Sequence, residues 1–175
     1  MSYRYSLKMG ATFANASIKT SNLDVVKNAL LGETAFVSAS QNWITVYPQK
    51  LESLDPKVLT EFAKNLSQKL SATCIVFGVY DSDGLFYFFC KNGQLIDQYS
   101  DYPDDPIEGK PATLIELGPP GLTAEQILAV LNKDYTFAEE KLGDLAKVLG
   151  IDTLELVGYD YLESELPKHP NIKPI

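Results

Sequence analysis

The chain has 175 residues, of which 45% are hydrophobic, and this composition supports one domain over residues 1–175 with a buried core. Its net charge of −8 and its pI of about 4.6 disfavour nucleic acids and anionic membrane surfaces as partners, and they favour a basic protein or cations. No run approaches the roughly 20 apolar residues of a membrane span, and the first residues lack the apolar core of a signal peptide. We therefore expect a soluble, cytoplasmic protein.

The first part of the chain predicts a strand, a helix and two short strands. Apolar and polar residues alternate over Tyr3–Met9, which is typical of a strand. A helix is expected to begin at Ser21, which is a good N-cap, and to end at Gly32. Two β-rich runs, Thr34–Ala39 and Trp43–Tyr47, follow around a polar turn.

A second helix is predicted from Pro56 to Ser71. Asp55 is a favourable N-cap, and proline is well tolerated at the first helical position. The residues expected to form its buried face are Leu59, Phe62, Leu66 and Leu70.

Three runs then predict an antiparallel meander of strands. Ala72–Tyr80 and Leu85–Cys90 are joined by an acidic turn, and a turn containing Asn-Gly leads into Gln94–Tyr99. The first two runs are apolar on both faces, so we expect them in the middle of a covered sheet. The third run is half polar and is expected at an edge.

The two helix-containing segments show the pattern of an internal sequence repeat. A shift of 41 positions aligns Phe36 with Phe77 and the end of the first helix with the end of the second. Residues 21–47 and 55–100 would then be two αββ units in one antiparallel sheet, with both helices on the same side.

The C-terminal part predicts a long loop followed by helices. Residues 101–122 are rich in proline and are expected to form an ordered loop with a short strand over Thr113–Leu117. Thr123 and Thr136 each open a helix, and these helices would form a helical hairpin within residues 123–150.

The last residues predict extended and irregular structure. Leu154–Leu162 is compatible with a helical turn or an edge strand, and its Gly-Tyr-Asp-Tyr stretch favours an extended conformation. The proline-rich tail over residues 167–174 is expected to lie on the surface without a helix. His169, the sole histidine, is expected to be solvated there, which leaves a Ser-His-Asp or Cys-His triad and a zinc site without a histidine.

These elements together predict an α+β fold. We expect a mostly antiparallel sheet of about five to seven strands. Helices would pack on one face of this sheet, and the C-terminal helical hairpin would be appended to it.

The two cysteines would lie nearly opposite each other on the first two strands of the meander. Cys74 and Cys90 could form a redox pair, but no neighbouring charge would lower a thiol pKa. Two small buried thiols are the favoured interpretation.

The meander should collect acidic residues at one end of the sheet. Its third strand returns to the end that carries the turn between the first two, so five aspartates should gather at one rim: Asp81, Asp83, Asp101, Asp104 and Asp105. The first four could bind Ca²⁺ or Mg²⁺, which prefer clustered carboxylates. They could also be solvated turn residues. A glycosidase-like acid and base pair, Asp81 with Asp83, lacks the apolar pocket that would separate their pKa values.

Tyrosines next to this rim could form a recognition surface. A tyrosine offers both apolar area and a polar tip, as partner-binding residues often do. The candidate partner-binding residues are Tyr80, Asp81, Asp83, Tyr99, Asp101 and Tyr102.

Part of the chain resembles a family of bacterial hypothetical proteins. The resemblance rests on Trp43–Tyr47, Val79–Gly84, Gly93–Tyr99 and Tyr102–Asp104, and it covers roughly residues 40–105 together with the helix end over 145–150. That family has no assigned function, so the resemblance implies no activity.

The sequence therefore favours a non-catalytic cytoplasmic interaction or regulatory protein, similar in role to an immunity protein. It would hold a partner on the acidic, tyrosine-bearing rim, and the negative charge favours a basic one. The alternative is an enzyme or ligand-binding domain that depends on a divalent cation held by the aspartates. No resident cofactor is predicted, and the sequence leaves the oligomeric state open.

Overall fold

A computed structural model describes residues 10–175 of the chain. The strand predicted over Tyr3–Met9 lies outside the described residues. Within residues 10–175, no helix is both long enough and apolar enough to cross a membrane.

Residues 10–175 form one seven-stranded antiparallel sheet with six α-helices, and this confirms the predicted α+β class. The strands are β1 (Phe13–Ile18), β2 (Ala35–Ala39), β3 (Ile44–Pro48), β4 (Thr73–Tyr80), β5 (Gly84–Lys91), β6 (Gln94–Ser100) and β7 (Lys173–Pro174). The helices are α1 (Leu23–Ala29), α2 (Pro56–Leu70), α3 (Pro111–Leu114), α4 (Ala124–Leu131), α5 (Ala138–Leu149) and α6 (Tyr159–Glu165). The strand order across the sheet is β6-β5-β4-β1-β3-β2-β7, and all neighbours are antiparallel.

Helix α2 begins and ends where local chemistry predicts. The Asp55 carboxylate accepts a hydrogen bond from the Lys57 amide at 2.8 Å, and Pro56 occupies the first turn. Ser71 ends the helix in the left-handed conformation. The predicted apolar face is buried against the sheet through Leu59, Phe62 and Leu66.

The predicted meander is confirmed. Strands β4 and β5 pair along their whole length, from Thr73 opposite Lys91 to Tyr80 opposite Gly84. Most of their residues are buried on both faces, whereas β6 is half exposed at the edge of the sheet.

Helices cover both faces of the sheet. One core joins α1 and α2 to the alternate strand residues that include Ile44, Val76 and Phe88. The other core joins α4 and α5 to residues on the opposite side, including Phe77 and Phe89. The two N-terminal helices therefore share a face, as predicted, and the C-terminal helices cover the second face, which sequence patterns left unassigned.

The two αββ segments occupy one sheet but attach to it differently. In the first segment, β3 pairs with the central strand β1, and β3 is the second strand of its hairpin. In the second segment, β4 pairs with β1, and β4 is the first strand of its hairpin. A common origin of the two segments stays a prediction.

The long loop after β6 is held down by one buried carboxylate. Asp97 accepts hydrogen bonds from the Tyr87 hydroxyl at 2.8 Å, from the Lys110 amide at 2.9 Å and from the Thr113 hydroxyl at 3.1 Å. Earlier in this loop, Ile107 forms an antiparallel β-bridge with Ser100 at the end of β6. The strand expected over residues 113–117 is wrong, because this segment forms α3 and a 3₁₀ turn instead.

The tail lies mostly on the surface, as predicted, but the C-terminal segment is more regular than expected. Residues 159–165 form α6 rather than an extended strand, and the tail pairs with the edge of β2 through β7. Ile172 is buried in a third small core with Phe36 and Tyr159, and this burial supplies the energy that orders the tail.

Candidate functional site

The turn between β4 and β5 is fixed by the elements around it. Asp81 and Ser82 both have positive φ angles, of 51° and 59°. One Asp81 carboxylate oxygen accepts a hydrogen bond from the Gly10 amide at 2.8 Å. The Ser82 carbonyl accepts a hydrogen bond from the Ala138 amide at the start of α5, and its hydroxyl donates to Glu139. This turn is therefore part of the scaffold of the rim.

Asp101 is also engaged within the fold. Its carboxylate accepts hydrogen bonds from the Leu85 amide at 2.7 Å and from the Tyr99 hydroxyl at 3.2 Å. It also forms an ion pair with Lys141 of α5 at 2.6 Å, and the Lys141 side chain is only 12% exposed. The charge of Asp101 is therefore neutralised inside the protein.

The aspartates lie at one end of the sheet, but they do not converge on a shared point. Among residues 10–175, no three His, Cys, Asp or Glu side chains are arranged to hold a metal ion. Asp81 and Asp101 accept internal hydrogen bonds, whereas Asp83, Asp104 and Asp105 are exposed. Ca²⁺ or Mg²⁺ binding by these residues stays an untested alternative.

The three rim tyrosines are divided between the two faces of the sheet. Tyr99 stacks on Tyr87 on the side of α5, with ring centroids 5.5 Å apart. Tyr80 and Tyr102 pack edge to face on the side of α2, with centroids 5.2 Å apart. All three tyrosines therefore lie at the predicted end of the sheet, but only the rings of Tyr80 and Tyr102 lie together on one face.

These two rings border an open groove of about 760 Å³, which we call the rim groove. One wall is the end of the 3₁₀ turn over Gln49–Ser53 together with the first turns of α2, and the other is formed by β5, β6 and the loop after β6. The side chains that define it here are Leu54, Lys57, Glu61, Tyr80, Phe86, Phe88, Tyr102, Asp105 and Ile107. A volume of this size, with an apolar floor and a few polar groups, is typical of a ligand or peptide site.

Two glycines allow the aromatic floor to form. The ring of Phe86 lies over Gly78 of the neighbouring strand, in the space where a side chain at position 78 would stand. Tyr102 likewise covers Gly84, and a Cβ atom there would lie 2.8 Å from the Tyr102 Cβ. The glycines thus set how closely the aromatic rings approach the sheet.

Acidic residues lie at the Tyr102 end of this groove. Asp105 lines that end, whereas the α2 wall carries Lys57 and Glu61, and Glu61 is ion-paired with Lys64 at 3.6 Å. Partial desolvation raises the pKa of Tyr102, and the nearby charges of Asp104 and Asp83 raise it further. A cationic group is therefore favoured in the groove over an anionic one.

A second groove, of about 640 Å³, lies between α1 and α2, but its charges are largely paired. Lys50 forms an ion pair with Glu33 and lies over the ring of Phe62. Lys69 donates a hydrogen bond to the Ala29 carbonyl at 3.1 Å. The Lys69 contact links α2 to α1, and the Lys50 contacts join the segment before α2 to the segment after α1 and to α2, so we assign this groove a structural role.

The two cysteines lie directly opposite each other on β4 and β5, as predicted. Both are fully buried. Burial raises the pKa of Cys90 to about 11, and it raises the pKa of Cys74 further. The thiols are therefore held neutral, and the geometry favours the interpretation as two packed apolar groups.

The prediction that His169 is solvated is wrong. Its side chain is 13% exposed, and its Nδ1 atom lies 3.1 Å from a carboxylate oxygen of Glu155. The exposed ring of Tyr161 packs edge-on against the imidazole. His169 therefore helps to anchor the ordered tail.

Sequence reasoning missed the groove itself. The runs of β4 and β5 looked covered on both faces, although α2 leaves the end near Phe86 open. The available signal was Gly78 within an otherwise bulky strand, because such a glycine often marks the close approach of another group.

No protein-family model matches this chain, and neither the curated proteins nor the solved structures include a significant match.

Proposed function

We propose that the protein is a non-catalytic interaction protein that holds a basic polypeptide partner in the rim groove. The observation that carries this proposal is the juxtaposition of an exposed aromatic surface with exposed carboxylates. Tyr80 is 46% exposed beside Tyr102, and the exposed Asp105 lines the same groove. Aromatic residues that are accessible at a groove are typical anchors of protein interfaces.

Charge supports a basic partner in particular. The whole chain has a net charge of −8, so the long-range field and the local charges of the groove favour the same sign of partner. This field would accelerate the encounter with a basic segment and would repel phosphate-rich ligands. Such a partner is also consistent with a regulatory or immunity-like role, in which one protein occupies the functional surface of another.

The two cysteines do not serve as nucleophiles in this proposal. The thiols of Cys74 and Cys90 have raised pKa values and no solvent access. We propose a cytoplasmic location, because two cysteines are too few for the disulfide framework that is typical of small secreted proteins.

Selection of short peptides from a random displayed library tests this proposal. We expect the selected peptides to be rich in Arg and Lys with apolar neighbours, and to bind more weakly as salt increases. The double variant Glu61→Gln/Asp105→Asn should weaken binding severalfold. Glu125→Gln, an exposed carboxylate on α4 across the sheet, serves as the matched control and should leave affinity unchanged.

Peptides without a basic bias, or binding that is equally affected by both variants, would contradict the proposed function. Recovery of no binding peptide would contradict it as well.

A further inference from the structure

Tyr80 and Tyr102 form an open corner at the end of the rim groove. Their ring planes meet at 85°, so the two rings stand almost at right angles to each other. The adjoining Phe88 is only 6% exposed, whereas Tyr80 is nearly half exposed. The corner is therefore the accessible part of the aromatic floor.

The corner is fixed in place without a partner. Tyr102 packs on Gly84, and its amide donates a hydrogen bond to the Ser100 hydroxyl at 3.2 Å. Its carbonyl accepts a hydrogen bond from the Asp105 amide at 3.1 Å. A site that is already ordered loses less conformational entropy when a ligand binds.

The charges around the corner select a cation. The Asp83 amide donates a hydrogen bond to the Tyr80 carbonyl at 2.9 Å, and the exposed Asp105 lines the groove in the same loop as Tyr102, so an acidic residue lies beside each corner tyrosine. The face of an aromatic ring attracts a cation through its quadrupole, and this attraction is strengthened where carboxylates stand nearby. An ammonium or guanidinium group satisfies both features.

A guanidinium group fits this corner better than an ammonium group. It is planar and weakly hydrated, so it stacks on one ring while its N–H groups point outward to a carboxylate. An ammonium group is compact and strongly hydrated, and it gives up more solvation when it approaches a ring.

We infer that the corner between Tyr80 and Tyr102 receives an arginine side chain of the basic partner. This inference rests on the proposed function and specifies how the groove recognises its partner. The arginine supplies the cation, and the floor formed by Phe86, Phe88 and Ile107 takes an apolar side chain next to it in the partner.

The test uses a selected peptide in which each arginine is replaced in turn by citrulline, a neutral residue of almost the same shape. At one position, citrulline should weaken binding about tenfold, as expected for a desolvated cation–π contact. Tyr102→Leu should weaken the unmodified peptide to a similar degree. In the Tyr102→Leu protein, citrulline at that position should have little further effect.

Three further protein variants test whether a loss of binding comes from the aromatic ring of the corner and not from misfolding or from the loss of any exposed tyrosine. Tyr102→Phe keeps the ring and should bind as the wild type does. Tyr80→Leu should behave as Tyr102→Leu does. Tyr161→Leu removes a tyrosine that is equally exposed, at 45%, and that also packs edge-on in a pair, but on α6 away from the groove. Its affinity should be unchanged.

The inference is overturned if peptides bind in the groove but citrulline is equally damaging in wild-type and Tyr102→Leu proteins. It is also overturned if Tyr102→Phe binds as weakly as Tyr102→Leu. In both cases the proposed function would stand, because groove binding and its salt dependence would remain.

Discussion

The ring of Phe86 lies over the backbone of Gly78 on the neighbouring strand and fills the space that a side chain at position 78 would take. This contact forms the floor of the rim groove. We expect Gly78→Ala to lower the free energy of unfolding by about 1–3 kcal/mol, because the added methyl group overpacks the site. Chemical denaturation measures the change.

Gly143→Ala is the matched control for that experiment. A Cβ atom at position 143 meets only Leu156 at ordinary van der Waals distance, and the residue lies within α5. Alanine favours a helix interior over glycine by roughly 1 kcal/mol, so this variant should be more stable than the wild type. Equal stability of Gly78→Ala and wild type would contradict the packing described for Phe86.

Asp97 is expected to be the main attachment of the loop that carries Tyr102. Asp97→Ala leaves the buried Tyr87 hydroxyl and the Lys110 amide without their acceptor. We expect the free energy of unfolding to fall by about 3 kcal/mol, as is usual when buried donors lose a charged acceptor.

Glu108→Ala, an exposed change in the same loop, should alter the free energy of unfolding by less than about 0.5 kcal/mol. If the two substitutions have equal effects, Asp97 does not anchor the loop.

Glu52 should make stability depend on pH near neutrality. Its carboxylate accepts a hydrogen bond from the Tyr159 amide, and burial, together with the charge of Asp160, raises its pKa to about 7. Between its ordinary pKa near 4.5 and about 7, the folded protein retains a proton that the unfolded chain releases. The stabilising contribution is therefore complete below about pH 4.5 and is lost as the pH rises to about 7.

We expect this loss to amount to ~1–2 kcal/mol, after a discount for the partial exposure of Glu52. Glu52→Gln should flatten the dependence of the free energy of unfolding on pH over this interval. An unchanged pH profile in Glu52→Gln would refute the assignment.

Divalent cations should have little effect on stability. Asp101 is paired with Lys141, and one Asp81 oxygen already accepts a backbone hydrogen bond. Thermal denaturation in millimolar Ca²⁺ or Mg²⁺ should therefore give the melting temperature found in chelator. A rise in melting temperature that Asp83→Asn abolishes would instead support the cation-dependent alternative.

Local chemistry predicted the elements whose boundaries depend on neighbouring residues. Asp55 and Pro56 begin α2 because an N-cap and a first-turn proline act within a few residues. The meander was predictable for the same reason, since its turns fix the pairing of adjacent strands. Cys74 opposite Cys90 follows directly from that pairing.

The parts of the fold that the sequence did not predict are stabilised by contacts between residues that are far apart in the chain. The tail is ordered because Ile172 is buried beside Phe36, which lies far away in sequence. His169 is less exposed than predicted because Glu155 and Tyr161 pack against its side chain. Proline content describes only local backbone preferences, so it could not reveal these contacts.

The candidate site was predictable in position but not in composition. The return of β6 to the turn between β4 and β5 placed Tyr80 and Tyr102 at one end of the sheet. The groove depends on where α2 begins relative to Phe86 and on how the loop after β6 folds back at Ile107. Neither relationship has a periodic signature in the sequence.

The most direct test of partner binding in the rim groove is an NMR titration of the isotope-labelled protein with a selected basic peptide at low salt. We expect amide shifts to change for residues around the rim groove, especially near Tyr80, Phe86, Tyr102 and Ile107, and the changes to diminish at high salt. Shift changes confined to another surface, such as α4 on the opposite face of the sheet, would contradict the assignment of the groove as the partner-binding site.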